Sequence, residues 1–270
     1  MAKYFEDLCF RDWYIFGRVM EDPDLCHDFL ATLLQENIGN LTTIVREKEL
    51  RIRVDGKTIR LDICASENDL AIYNAEMQNL YPNNSVESLH LPFRSRAYQS
   101  MIDVDALDKG AKYKDLPDVN IVFICTFDPF GLGRYLYLFE NTCADDQNLK
   151  LNDRARKFFF NVTSNDPDIP VDIKQLFDYI MSQKAENGLT KRINNAVERV
   201  KHNSEERSLY NHMFFPDDII DEAKAEAAWE KLVSLIEDAL RRGKTRDEIA
   251  EFLNISLDTI KEAEKYMNND

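Results

Sequence analysis

The chain has 270 residues, of which 44% are hydrophobic and 31% charged, and its formal net charge is −15. That length and apolar content suffice for one large domain, or one domain with an appendage, and only 8 Gly and 8 Pro exclude a low-complexity chain. The acidity excludes nonspecific nucleic-acid binding by the whole surface, because phosphate neutralisation needs clustered Lys and Arg.

Residues 1–17, MAKYFEDLCFRDWYIFG, interrupt each apolar run with Glu, Asp or Arg, so no secretory signal is expected there. No stretch approaches the ~20 consecutive apolar residues of a membrane span, and no membrane partner is expected. Cys9, Cys26, Cys64, Cys125 and Cys143 are odd in number, widely spaced and free of C-x-x-C pairs. That pattern predicts reduced thiols and a cytoplasmic location.

In chain order, Trp13, Phe16, Val19 and Met20, then Phe29, Leu30, Leu33 and Leu34, recur at helical spacing and predict two opening helices. Pro23 suits the first turn of the second, with Asp22 as its N-cap. Strands are predicted at TTIVRE, LRIRV, TIRLDICAS and AIYNAEMQ. The segment from Val45 to Arg60 is locally basic, through Arg46, Lys48, Arg51, Arg53, Lys57 and Arg60; such charge also serves to blunt a sheet edge. A helix or helix pair is predicted over residues 92–111, ending at Gly110, before the doubly buried strand VNIVFICTF. A helix between two strands that can lie parallel makes the class α/β.

Beyond Pro170 only helices are expected. NNAVERVKHNSEERSLYNHMF is predicted as one long charged helix, and DDIIDEAKAEAAWEKLVSLIEDALRRG as another that ends at Gly243. Thr245 and Glu248 form a capping box, and Ser256 caps the last helix. The expected division is a domain over 1–185 and an α-helical extension over 186–270. The final two helices have a helix-turn-helix outline, but the last one alternates Asp258, Glu262 and Glu264 with Lys261 and Lys265. Packing or homo-oligomerisation is therefore expected of it rather than base reading. Trp229, Leu232, Leu235, Ile236 and Leu240 form an apolar stripe expected to bury against the core or a second copy. His27, His90, His202 and His212 show no metal-ligand spacing.

The central hairpin carries the chemistry. A loop of Asn68, Asp69 and Leu70, centred on Asp69, sets Asp62 opposite Glu76, with Cβ atoms ~4.5–5.5 Å apart. By strand parity Leu61, Ile63 and Ala65 share an apolar face with Tyr73, Ala75 and Met77. Arg60, Asp62 and Cys64 then face Asn74, Glu76 and Gln78. Opposed carboxylates destabilise a sheet unless something neutralises them. Two arrangements do so: solvent or the cations Arg60 and Lys57, or a shared divalent cation, for which hard oxygen donors favour Mg²⁺.

RLDICASENDLAIYNAEMQ resembles the core motif of the PD-(D/E)xK nuclease superfamily, in its recombination-promoting nuclease or transposase-like branch, where E-x-Q commonly replaces E-x-K. The resemblance continues through LPFRSRAYQSMID, LDKGAKYKDLPDVNIVFICTFDPFG and LNDRARKFFFN, and covers roughly Phe5 to Tyr179. It implies a restriction-endonuclease-like core, a mixed β-sheet flanked by helices, that cuts double-stranded DNA in recombination or transposition. It further implies Asp62 and Glu76 as ligands of Mg²⁺, with Mn²⁺ or another divalent cation as a substitute, and Gln78 as the third catalytic position. Gln78 can only hydrogen-bond where the wider superfamily has Lys, which leaves room for a nuclease fold that binds without cutting. On the following helix Arg94, Arg96 and Gln99 are expected to meet nucleic acid, with Arg96 and Gln99, as i, i+3 neighbours, turned to the site together.

Overall fold

The computed structural model describes residues 3–51, 58–68, 70–80, 85–107, 112–214, 217–253 and 255–267. The two opening helices are α1, Trp13–Met20, and α2, Pro23–Leu34. Asp22 caps α2 as its spacing predicts: its side chain accepts from the backbone N–H groups of Asp24 and Leu25, and Pro23 fills the first turn. Asp22→Ala leaves both donors without that acceptor and lowers stability by about 1 kcal/mol, read as a lower midpoint of chemical denaturation.

Six strands form one mixed sheet: β1 Thr43–Leu50, β2 Ile59–Glu67, β3 Ala71–Gln78, β4 Asp118–Cys125, β5 Leu136–Phe139 and β6 Ala155–Asn161, in the order β1-β2-β3-β4-β6-β5. The first three are antiparallel neighbours, β3, β4 and β6 run parallel, and β5 closes the edge antiparallel to β6. The crossover between β3 and β4 contains α3, Leu91–Ala106. This is the α/β class expected.

Several elements differ from their predicted form. TTIVRE and the start of LRIRV are one strand to Leu50, while residues 52–57 lie outside the described residues. Helix α3 stops at Ala106, because Leu107 is extended (φ −97°, ψ 95°); Gly110, its expected terminus, lies outside the described residues. Strands β5 and β6 were not predicted. The Phe run of β6 splits across the sheet: Phe159 stacks on Phe123 of β4 beneath α3, and Phe160 meets Phe177 of α4, Val171–Ser182. The core thus has two layers, α3 on one face and α1 with α4 on the other.

The long charged helix is two helices, α5 Gly188–Lys201 and α6 Ser204–Phe214. Asn203 separates them, its side chain accepting from the N–H of Glu205. Because α5 packs on α1, α2 and α4, the compact first unit runs from Lys3 to Glu206, past the 185/186 boundary expected.

From Arg207 onward the chain forms a second unit. There α7 Asp217–Arg241, α8 Arg246–Leu253 and α9 Leu257–Met267 bury Val233, Ile236, Ile249, Ile260 and Ala263 among themselves. The apolar stripe of α7 is therefore covered within its own unit, except Leu235, which is exposed. The Thr245–Glu248 capping box forms, Ser256 accepts from the N–H of Thr259, and Arg246 ties α8 to α9 through both oxygens of Glu264. Among the described residues no helix is long and apolar enough to cross a membrane.

Candidate active site

The β2–β3 hairpin has the register expected, with Ile63 opposite Ala75 and Cys64 opposite Asn74. Past Ile63 the strands stop pairing. Strand β3 continues beside β4 as far as Gln78, and β2 continues beside β1 as far as Ile59. At this fork two carboxylates replace the main-chain ladder. The Asp62 N–H donates to Glu76 Oε1 (3.1 Å), and the Met77 N–H donates to Asp62 Oδ2 (3.1 Å). Each acid is thereby fixed by the strand that carries the other.

A second distortion lies on the opposite side of β2. Arg46 pairs with Ile63 and Lys48 with Leu61, but Glu47 and Asp62 between them are outside the ladder, and Glu47 has φ 52°. A non-glycine residue there costs on the order of 1 kcal/mol; no residue is inserted, since the register is the same on either side, but the break in the ladder re-aims its neighbours. The alternation of β2 consequently shifts. Arg60 lies over the Trp13 ring of α1 (5.3 Å) and pairs with Glu47 (3.2 Å), while Leu61 joins Cys64, Tyr98 and Ile102 under α3. The expected sharing of one face by Arg60, Asp62 and Cys64 fails at Arg60 for this reason.

That face is not in water. Glu76 is 1% exposed, Gln78 8% and Asn74 0%, because α3 packs across them. Arg94 of α3 supplies their counter-charge: it donates to Glu76 Oε2 (3.2 Å) and Gln78 Oε1 (2.7 Å). Its Nε and a terminal nitrogen also donate to the Tyr98 hydroxyl (3.1 and 2.9 Å), one helical turn on, and its plane lies against the rings of Tyr98 and Phe123. Tyr98 is buried and also orients Arg94, a role signalled by the i, i+4 spacing.

Burial dominates the electrostatics. Desolvation raises the Asp62 carboxyl from its ordinary 3.8 to about 6, against the lowering effect of the Met77 N–H and Arg94. Glu76 is raised well above its ordinary value by burial first and then by the Asp62 charge, with the Asp62 N–H and Arg94 opposing. One guanidinium therefore leaves the two acids under-neutralised.

Arg96 and Gln99 do not come to these acids. They sit about 200° and 500° of helical turn beyond Arg94, so the face that delivers Arg94 and Tyr98 turns them away. Arg96 lies over Phe93, and Gln99 bonds Asp103. Both line a neighbouring cleft instead.

Among the described residues no three His, Cys, Asp or Glu side chains converge as a metal cage. Two carboxylates and the Gln78 amide oxygen are nonetheless the hard, incomplete donor set that Mg²⁺ takes when it keeps waters for a phosphate substrate. The raised proton affinity of both acids is the mark of a site short of positive charge. The residues fit such an ion, with Arg94 as the group already competing for Glu76 and Gln78. No family model, curated protein or solved structure matches the chain.

Proposed function

We propose that the chain is a Mg²⁺-dependent endonuclease of the PD-(D/E)xK kind, cutting double-stranded DNA in the cytoplasm in recombination or transposition. The observation that carries this reading is the pair Asp62 and Glu76, locked crosswise at the fork of β2 and β3 and short of counter-charge. Asp62 and Glu76 would hold the cation, with the Gln78 amide oxygen beside them. Bound there, it would supply Lewis acidity to the scissile phosphate and a water of lowered pKa.

The protein's own groups divide the remaining work. Arg94, released from Glu76 and Gln78, presents a planar fork of donors to a phosphate and stabilises the charge that develops on it. Tyr98 and Phe123 hold that guanidinium in place. Gln78 orients by hydrogen bonding and accepts no proton, so a solvent base must take the proton of the attacking water. Plasmid incubated with the protein and Mg²⁺ is expected to pass from supercoiled to nicked form, and to stay supercoiled with chelator; supercoiled plasmid under both conditions would count against the reading.

A second reading, a nuclease-fold protein that binds without cutting, is favoured by Arg94 being satisfied within the chain by Glu76, Gln78 and Tyr98. Calorimetric titration with Mg²⁺ and Mn²⁺ separates the two. The endonuclease reading predicts heat that vanishes in Asp62→Asn and Glu76→Gln, and the binding-only reading predicts none in any form.

A further inference from the structure

The cleft that receives Arg96 and Gln99 lies between α3 and the β5–β6 edge of the sheet, with a volume of about 670 Å³. That is within the range of small-molecule sites, ~300–1,000 Å³. Its wall is aromatic: Phe159 meets Phe130 and Phe139 edge to face (5.2 and 5.7 Å), Phe130 and Phe139 are tilted to each other at 5.2 Å, and Phe139 is 46% exposed. An exposed ring braced by two others is a rigid stacking surface.

Gln99 and Asp103 line the same space. Gln99 Nε2 donates to Asp103 Oδ1 (3.0 Å), which leaves Gln99 Oε1 buried with no donor. Asp103 Oδ2 also has no donor among the described residues, and burial raises the Asp103 carboxyl above its ordinary value. A buried acceptor without a donor is costly, and a ligand N–H removes that cost. Two adjacent acceptors suit a group that carries two hydrogens. The cations Arg96 and Lys157 line the cleft without an ion pair among the described residues, whereas Glu140 is held by Lys150 and Asp153 by Asn141.

We infer that this cleft binds one unstacked nucleobase bearing an exocyclic amine, adenine or cytosine, with its ring on Phe139, its amine on Gln99 and Asp103, and its phosphate at Arg96 and Lys157. The base comes from a DNA strand or from a free nucleotide. The strand source rests on the nuclease reading and fits its spacing. Glu76, Phe123 and Phe159 are in register on β3, β4 and β6, so the aromatic wall stands two strand spacings, ~10 Å, from the carboxylates. A nucleotide near the cut would then leave its stack to enter the cleft, as bases do in other enzymes that read single nucleotides.

Calorimetry on the full chain tests this without cleavage, using Ca²⁺-free buffer and chelator. The ligands are tetradeoxyadenylate, the same tetramer of deoxynebularine, which lacks the 6-amino group, an abasic tetramer, and dAMP. Tetradeoxyadenylate should bind about tenfold tighter than the nebularine tetramer. Gln99→Leu should erase that difference, and Phe139→Ala, at an exposed position, should weaken both by about tenfold. Binding of tetradeoxyadenylate by a parent protein that nicks no plasmid would sink the nuclease reading and leave the cleft standing. Binding of dAMP as tight as the tetramer makes a free nucleotide the source, and tetramer binding alone makes it the strand. Equal affinity for adenine and abasic tetramers, or Gln99→Leu and Phe139→Ala binding like the parent, overturns the inference.

Discussion

Asp62→Asn and Glu76→Gln proteins should nick plasmid at least about 10³-fold more slowly than the parent, the scale expected when a charged group acting on the transition state is removed. These amide variants are better probes than alanine. In Glu76→Ala the Asp62 N–H and Arg94 each lose an acceptor, and in Asp62→Ala the Met77 N–H does, so lost activity would mix with lost stability. Asn and Gln retain a carbonyl oxygen that can accept the same main-chain bonds while the charge disappears. Unchanged circular dichroism with lost nicking is the expected pair of results. A Glu76→Gln protein that cuts at the parent's rate would refute the assignment of the site.

The same two acids set a stability profile. Both carboxyls hold protons more tightly in the folded chain than in the unfolded one, Asp62 at about 6 against 3.8. Between those values the folded state binds more protons, so unfolding free energy falls as pH rises. Below about pH 4 neither state is charged at Asp62 and nothing is lost; above about pH 6 the loss is complete. For Asp62 it is on the order of 2–3 kcal/mol, and Glu76 adds in the same direction. Metal-free protein should therefore be less stable at pH 7.5 than at pH 5, and Asp62→Asn should flatten that slope. Mg²⁺ at about a hundredfold its Kd should return about 2.7 kcal/mol at pH 7.5. The slopes come from urea denaturation at each pH; identical slopes for parent and Asp62→Asn would contradict the burial argument.

The parts of this site that were legible in the sequence are those set by local rules. The loop expected around Asp69, which itself lies outside the described residues, gave the register that the pairs from Glu67–Ala71 to Ile63–Ala75 have, and with it the nearness of Asp62 and Glu76. The α/β class followed from a helix between two strands. What escaped depends on packing between distant segments. Glu47 has no local preference for positive φ, so the break in the β1–β2 ladder beside Arg60 left no mark in the sequence. Strand β5 is a four-residue edge with little period to detect, and β6 offers only the short apolar run Phe158–Phe160 after Arg156 and Lys157, which periodicity alone does not assign. The burial of Glu76 was not legible, because alternation cannot show that α3 covers the polar side. Arg94, Arg96 and Gln99 were legible as a polar helical group, but which of them meets the acids was decided by the rotation of α3 over β3 and β4.

The most direct test is a crystal of the protein soaked in Mn²⁺, with data collected for anomalous scattering. The account predicts a single peak bridging the Asp62 and Glu76 carboxylates near the Gln78 amide oxygen, with Arg94 moved off Glu76. Mn²⁺ absent from the fork, with Arg94 still bonded to Glu76 and Gln78, would contradict it.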